Sequence, residues 1–292
     1  MTKVYKNDKA AKAIKESYDA LLGQWNCEYK ELDLEGRYGV THMIEFGSKE
    51  KEPLILFHGV GDDAALMWVY NAKELGDHFH VYAIDTIGGP GKSVPGEGYD
   101  KTFEDVTWID EILDALSLEQ VFMAGVSNGA YLTQAYSICR PERVRKGISM
   151  AGSVPIAAKG FSMLGMMKVF LPEALFPTDK NVKKLIRKMT GDHYHVFTEN
   201  ETLLRHFKEL MTGFNRAAMM NHKVRGFSRS EVLSIKDKML YIVGKKDPFM
   251  TMGGEALMGQ YPMNVKWFDD AGHGINHEKA AEVNQLIIDY FS

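Results

Sequence analysis

Three residues have the types and placement for acyl-transfer chemistry: Ser127, Asp247 and His273, each just past a short apolar run. Gly125-Val126-Ser127-Asn128-Gly129 follows the run Val121–Ala124 and opens the helical stretch Asn128–Cys139. A glycine–serine pentapeptide on its own says little. Between a strand and a helix it says more, because Gly125 and Gly129 allow a tight turn that lifts the Ser127 hydroxyl above the sheet. The helix that follows aims N–H groups and the positive end of its dipole at the same place. A serine held there can attack a carbonyl carbon once a base takes its proton.

Asp247 and His273 fit that task. Met239–Gly244 reads as a strand running into Lys245-Lys246-Asp247-Pro248, and Val265–Phe268 as a strand running into Asp269-Asp270-Ala271-Gly272-His273. Both side chains then fall at carboxyl ends of strands, where open parallel sheets gather ligands. Singly, Asp247 is a turn residue before proline and His273 a surface histidine. Jointly they predict a relay in which Ser127 attacks, His273 takes and returns its proton, and Asp247 orients the ring. His58-Gly59-Val60-Gly61 follows the run Pro53–Phe57, and its glycines let backbone approach a substrate. The N–H groups of Val60 and Asn128 are the expected oxyanion hole. His58 is expected to bond nearby backbone in support of that loop.

Positioning these residues needs a sheet. Strands are predicted at Pro53–Phe57, His80–Asp85, Val121–Gly125, Lys146–Ala151, Met239–Gly244 and Val265–Phe268, most of them apolar throughout, as buried parallel strands are. Helices are predicted at Ala64–Leu75, Phe103–Leu116, Asn128–Cys139 and Glu278–Phe291. Cys27–Leu32 and Val40–Phe46 alternate like an antiparallel edge pair, and Lys9–Leu22 reads as an exposed amphipathic helix. From 155 to 236 there is helical pattern without a strand. The expected division is an N-terminal helical extension (1–24), an α/β core (25–154 and 237–292) and a helical cap (155–236).

Together the segments 58–61, 85–93, 125–129, 141–144, 244–247 and 270–278 resemble the α/β-hydrolase fold superfamily, from about residue 36 to 292. Within it the chain is most similar to small capped bacterial carboxylesterases. The resemblance implies a mostly parallel sheet flanked by helices with an inserted cap, and ester hydrolysis through an acyl-serine. Ile87 stands where the usual Asp-x-Arg-Gly motif has arginine. Ser127 sets the chain apart from haloalkane dehalogenases and epoxide hydrolases, which carry an aspartate nucleophile. The same three residues would equally serve C–C, lactone or amide cleavage or perhydrolysis, and a non-catalytic small-molecule receptor is a third reading.

Composition narrows the rest. The 292 residues carry 35 Lys and Arg against 39 Asp and Glu, a net charge of −4 spread along the chain. That argues against a nucleic-acid surface held by phosphate neutralisation. Cys27 and Cys139 are too few for a disulfide framework. His277 lies four residues past His273, yet no carboxylate or cysteine cluster completes a metal site. No metal and no cofactor are expected. The first 25 residues lack a signal-peptide pattern, and no run approaches ~18 apolar residues, so a cytoplasmic protein without a membrane span is expected. Phe161–Phe170, rich in Met163, Met166 and Met167, is expected either to pack on the core or to roof a tolerant apolar pocket, aided by Met250 and Met252. A small apolar or aromatic ester, soluble rather than emulsified, is the expected substrate. Asp62 and Asp63 read as a polar wall, a solvated pair or a helix cap, and Lys183–Lys188 as a solvated face. His193 and His195 show no partner in sequence.

Overall fold

The computed structural model describes residues 2–154, 173 and 176–292. The run Phe161–Phe170 lies outside them. Tyr29–Gly36 (β1) and Gly39–Phe46 (β2) form a hairpin with Gly36 opposite Gly39. Gly39 closes it at φ 126°, where an added Cβ would sit 2.2 Å from the Val94 carbonyl oxygen. The first strand therefore runs further than the alternation at Cys27–Leu32 predicts. Then follow Pro53–Phe57 (β3), His80–Ile84 (β4), the short Val94–Pro95 (β5), Val121–Val126 (β6), Val144–Met150 (β7), Met239–Gly244 (β8) and Asn264–Phe268 (β9). The sheet order among described residues is β1-β2-β4-β3-β6-β7-β8-β9, with β5 beside β2. It is parallel from β4 through β9.

Alternate residues of the central strands feed opposite cores, which is why the strands read as unbroken apolar runs. Leu54 and Leu56 enter one cluster with Ile14, Phe122, Ile148 and Ile287. Ile55 and Phe57 enter the other with Trp108, Ile112, Leu132 and Tyr136. The chain leaves β3 for β4 on one side and returns to β6 on the other. The loops after β3 and β6 thus flank the point where strand order reverses, the usual ligand crevice of such sheets.

Two predicted helices are interrupted for visible reasons. Ala64–Leu75 divides into Ala64–Met67 (α1) and Ala72–Gly76 (α2). Between them Asn71 Nδ2 donates to Asn276 O (3.1 Å) and Asn284 Oδ1 (2.7 Å), tertiary bonds that override the local pattern. Near the end, Ile275–Glu278 and Ala280–Phe291 are separate helices. The Glu278 carboxylate reaches back to the N–H groups of Gly272 (2.9 Å) and Gly191 (2.7 Å) instead of starting the last helix. Phe103 precedes its helix, which begins at Asp105.

Between β7 and β8 the described residues include the helices Asp179–Met189 (α3) and Glu201–Gly213 (α4). Thr178 caps the first, accepting from Asn181 N, and Asn200 caps the second, accepting from Leu203 N. Lys184 and Lys188 of α3 both pair with Glu173, whose side chain is buried, so this basic face is only partly solvated. His193 finds Asp270, 2.8 Å from its Nε2. The N-terminal helix, Asp8–Leu22, is not a peripheral addition. Ile14, Ser17, Tyr18, Leu21 and Leu22 are buried. It meets α4 so closely that a Cβ on Gly213 would lie 2.9 Å from Ala10 Cβ. Ahead of it, Lys6 N donates to Gly213 O and Asn215 N to Val4 O. No helix among the described residues is long and apolar enough to cross a membrane.

Candidate active site

Ser127 joins β6 to the helix Asn128–Cys139 at φ 56°, ψ −110°, a backbone that non-glycine residues rarely adopt and that functional sites retain. The flanking glycines are sterically required. A Cβ on Gly125 would come within 2.1 Å of Gly129 O, and one on Gly129 within 2.3 Å of Phe57 O. Ser127 N donates to Met150 O (2.9 Å), tying the turn to β7. Asn128 is the first helical residue, so its N–H has no acceptor within the helix. Gly129→Ala is expected to lower stability by about 1–3 kcal/mol, the usual result of overpacking. A denaturation midpoint matching wild type would show that the turn can relax.

Asp247 is fully buried in the turn after β8. Its Oδ1 accepts from Phe249 N (2.8 Å), and its Oδ2 lies 2.7 Å from His273 Nδ1. An ionised carboxylate only accepts, so Nδ1 carries a proton and Nε2 of the neutral ring is left as an acceptor. Burial by itself lowers the His273 pKa. The Asp247 charge and hydrogen bond, with smaller contributions from Asp62 and Glu278, outweigh it and raise the pKa above the ordinary 6.5. The Phe249 ring packs 4.8 Å from the imidazole, centroid to centroid. His273 N donates to Met189 O (2.6 Å), and Glu278 holds the preceding Gly272.

In the loop after β3, His58 Nε2 accepts from Thr86 N (2.8 Å) and Nδ1 then donates to Gly59 O (2.8 Å). Both ring nitrogens are engaged with backbone. A Cβ on Gly59 would lie 3.4 Å from Ser127 Cβ and 3.2 Å from Asp62 Oδ2, so this loop passes directly over the serine. Val60 is exposed. Asp63 caps α1, accepting from Leu66 N (3.0 Å), and its Oδ2 is 2.7 Å from His206 Nε2. Asp62 instead faces the cavity, and burial pushes its carboxyl up to about 6.

Ser127, His273, Val60 and Asp62 border one cavity of about 520 Å³. Its described wall is mostly apolar: Met67 from the core, Leu185 and Met189 from α3, Phe207, Leu210 and Met211 from α4. Phe249 lines it too, whereas Met250 is packed inside and neither it nor Met252 is among the described lining residues.

A family profile described as alpha/beta hydrolase fold matches residues 52–170. Carboxylesterase YbfK of Bacillus subtilis is 25% identical over 288 residues, covering 94% of this chain and 92% of that protein. Its crystal structure superposes with a TM-score of 0.81 over 97% of this chain and 98% of the other. The chain has the α/β-hydrolase fold. The naproxen esterase of B. subtilis, at 20% identity, superposes on this chain with a TM-score of 0.82, covering 98% of it and all (100%) of the esterase. A 2-hydroxy-6-oxo-6-phenylhexa-2,4-dienoate hydrolase of Comamonas testosteroni is 25% identical over 267 residues, 86% of this chain and 91% of that one.

Several residues that line the cavity of this chain escape sequence reading as pocket residues. Asn276, His277, Phe197 and Arg216 all border the cavity. His277 Nε2 donates to Leu66 O (2.9 Å), and burial lowers its pKa to about 4, so it is a neutral structural ring. Among the described residues, no group of three or more His, Cys, Asp or Glu is arranged to hold a metal ion. The spacing Phe207, Leu210, Met211, Phe214 is the one available signal, an apolar face at helical period.

Proposed function

We propose that the protein hydrolyses carboxylic esters through an acyl-serine on Ser127. The observation that carries this reading is the 2.7 Å contact between buried Asp247 and His273 Nδ1, beside a strained serine at the same cavity. In the proposed sequence Ser127 Oγ bonds to the ester carbonyl carbon as its proton passes to His273 Nε2. The N–H groups of Val60 and Asn128 receive the oxyanion; each such donor is worth roughly 10²–10³ in rate. The tetrahedral adduct breaks its bond to the alcohol oxygen, which leaves with the His273 proton. Water then gives a proton to the same nitrogen, attacks the acyl-serine and releases the acid, and Ser127 regains its proton. Residues 155–236 act as a cap that shapes the acyl and alcohol sites, and the 1–24 extension braces it.

The apolar wall favours short-to-medium aliphatic and aromatic esters. A panel of soluble esters, lactones, amides and triglyceride emulsions, run beside fluorophosphonate labelling, tests this reading. Best turnover on long-chain emulsions would contradict it. Preferential cleavage of a dienoate of the kind named in the Comamonas relative would transfer the same residues to that reaction.

The pH dependence follows from His273. The ring must be neutral to accept a proton, and its pKa is raised, so kcat/KM should climb with a midpoint above about 6.5. Asp247→Asn removes the charge that favours imidazolium and should move that midpoint down while lowering the plateau. A flat profile from pH 5 to 9 would be incompatible with this base.

A further inference from the structure

The cavity wall contains two side chains of opposite charge. Resting on the ester reading, we propose that Arg216 selects esters that carry a carboxylate remote from the bond cleaved. Besides His273 and the neutral His277, the titratable or charged lining groups among the described residues are Asp62 and Arg216. Arg216 is exposed, so it stands where the cavity meets solvent.

Of the nine arginines, two, Arg205 and Arg216, lack a partner among the described residues, and of these Arg216 is the one that borders the cavity. Five arginines, Arg37, Arg140, Arg143, Arg145 and Arg225, pair with carboxylates. Two more lie over tyrosine rings. Arg216 has no ion-pair, hydrogen-bond or ring partner among the described residues. The residues outside the description, 1, 155–172, 174 and 175, contain no Asp or Glu to neutralise it. The backbone beneath it is nonetheless fixed. Asn215 caps the turn Arg216–Met219 by accepting from Ala217 N, and bonds Val4 O and Lys3 O through its own N–H groups. Phe214, Ala218 and Met219 are buried around it.

A guanidinium on a fixed turn offers paired donors that match a carboxylate. The bland alternative is a side chain whose stem covers apolar surface while its head remains in water. Asp62 adds direction. It lies beside Gly59 and Ser127, so above about pH 6 an anion placed near the oxyanion loop meets repulsion. The same anion placed at Arg216 meets attraction. A substrate with one carboxylate is thereby oriented with its ester at Ser127 and its charge at the cavity mouth.

The test compares p-nitrophenyl esters of ω-carboxy acids of five to ten carbons with neutral isosteres in which an isopropyl group replaces the carboxylate. The ratio of kcat/KM, anionic over neutral, should exceed about tenfold at the best length. It should fall about tenfold in Arg216→Gln, less in Arg216→Lys, and fall in wild type at high salt. An unchanged ratio in Arg216→Gln, with neutral esters still cleaved in a Ser127-dependent way, overturns this inference alone. Loss of Ser127 dependence overturns the ester reading instead. Calorimetric binding of 6-phenylhexanoate against 6-phenylhexanol reports on Arg216 without turnover. Equal preference for the acid in wild type and Arg216→Gln there also overturns it.

Discussion

Ser127→Ala is expected to lower kcat for ester hydrolysis by roughly 10⁴–10⁶ while leaving the protein folded. The side chain removed is small and exposed to the cavity, and the turn is held by Gly125, Gly129 and the bond to Met150 O, none of which the variant touches. His273→Ala should produce a loss of similar size, since it removes the proton acceptor for the same step. The double variant should be little worse than the poorer single, because residues acting in one step are not additive. Asp247→Asn should be milder than either. Two mild single effects that simply multiplied would dissolve the proposed Ser127–His273 partnership even if both residues mattered.

Asp63→Ala is expected to destabilise the fold by about 3–5 kcal/mol, the range for stripping one partner from a buried pair. Asp63 and His206 are both fully buried, 2.7 Å apart, and His206 Nδ1 lies 2.7 Å from Ser17 Oγ. One histidine thus joins the loop after β3, the helix α4 and the N-terminal helix. Burial alone would raise the Asp63 pKa; the His206 charge and bond and the Leu66 N–H pull it below its ordinary value. A carboxylate so depressed stabilises the fold at neutral pH, and that contribution fades as the pH falls below about 4. Denaturant titrations at pH 7 and pH 3 should show a large wild-type-minus-variant gap that shrinks at the lower pH. A gap under 1 kcal/mol at pH 7 would mean the pair does not bind these elements together.

What the sequence reveals about this molecule depends on range. Pro53–Phe57 and Met239–Gly244 coincide with β3 and β8 because strands buried on both faces leave an unbroken apolar run bounded by polar loops. Asp247 and His273 can be placed because each follows such a strand by a few residues. The break between α1 and α2 cannot, since the bonds of Asn71 go to residues more than 200 positions away. The Asp63–His206 pair spans 143 positions and has no spacing signal. The run Phe161–Phe170, expected to pack on the core or to roof the pocket, lies outside the described residues. The described wall draws on Phe207, Leu210 and Met211, whose helical period was legible but whose facing depended on the N-terminal helix behind them.

The reading of the site comes down to one covalent bond. Acid quench of the enzyme within milliseconds of mixing with excess p-nitrophenyl butyrate, followed by intact and peptide mass measurement, looks for it directly. The account requires a butyryl adduct on the peptide containing Ser127, formed in a burst equal to the enzyme concentration and absent from Ser127→Ala. Steady ester turnover with no adduct at Ser127, or an adduct that persists in Ser127→Ala, would contradict it.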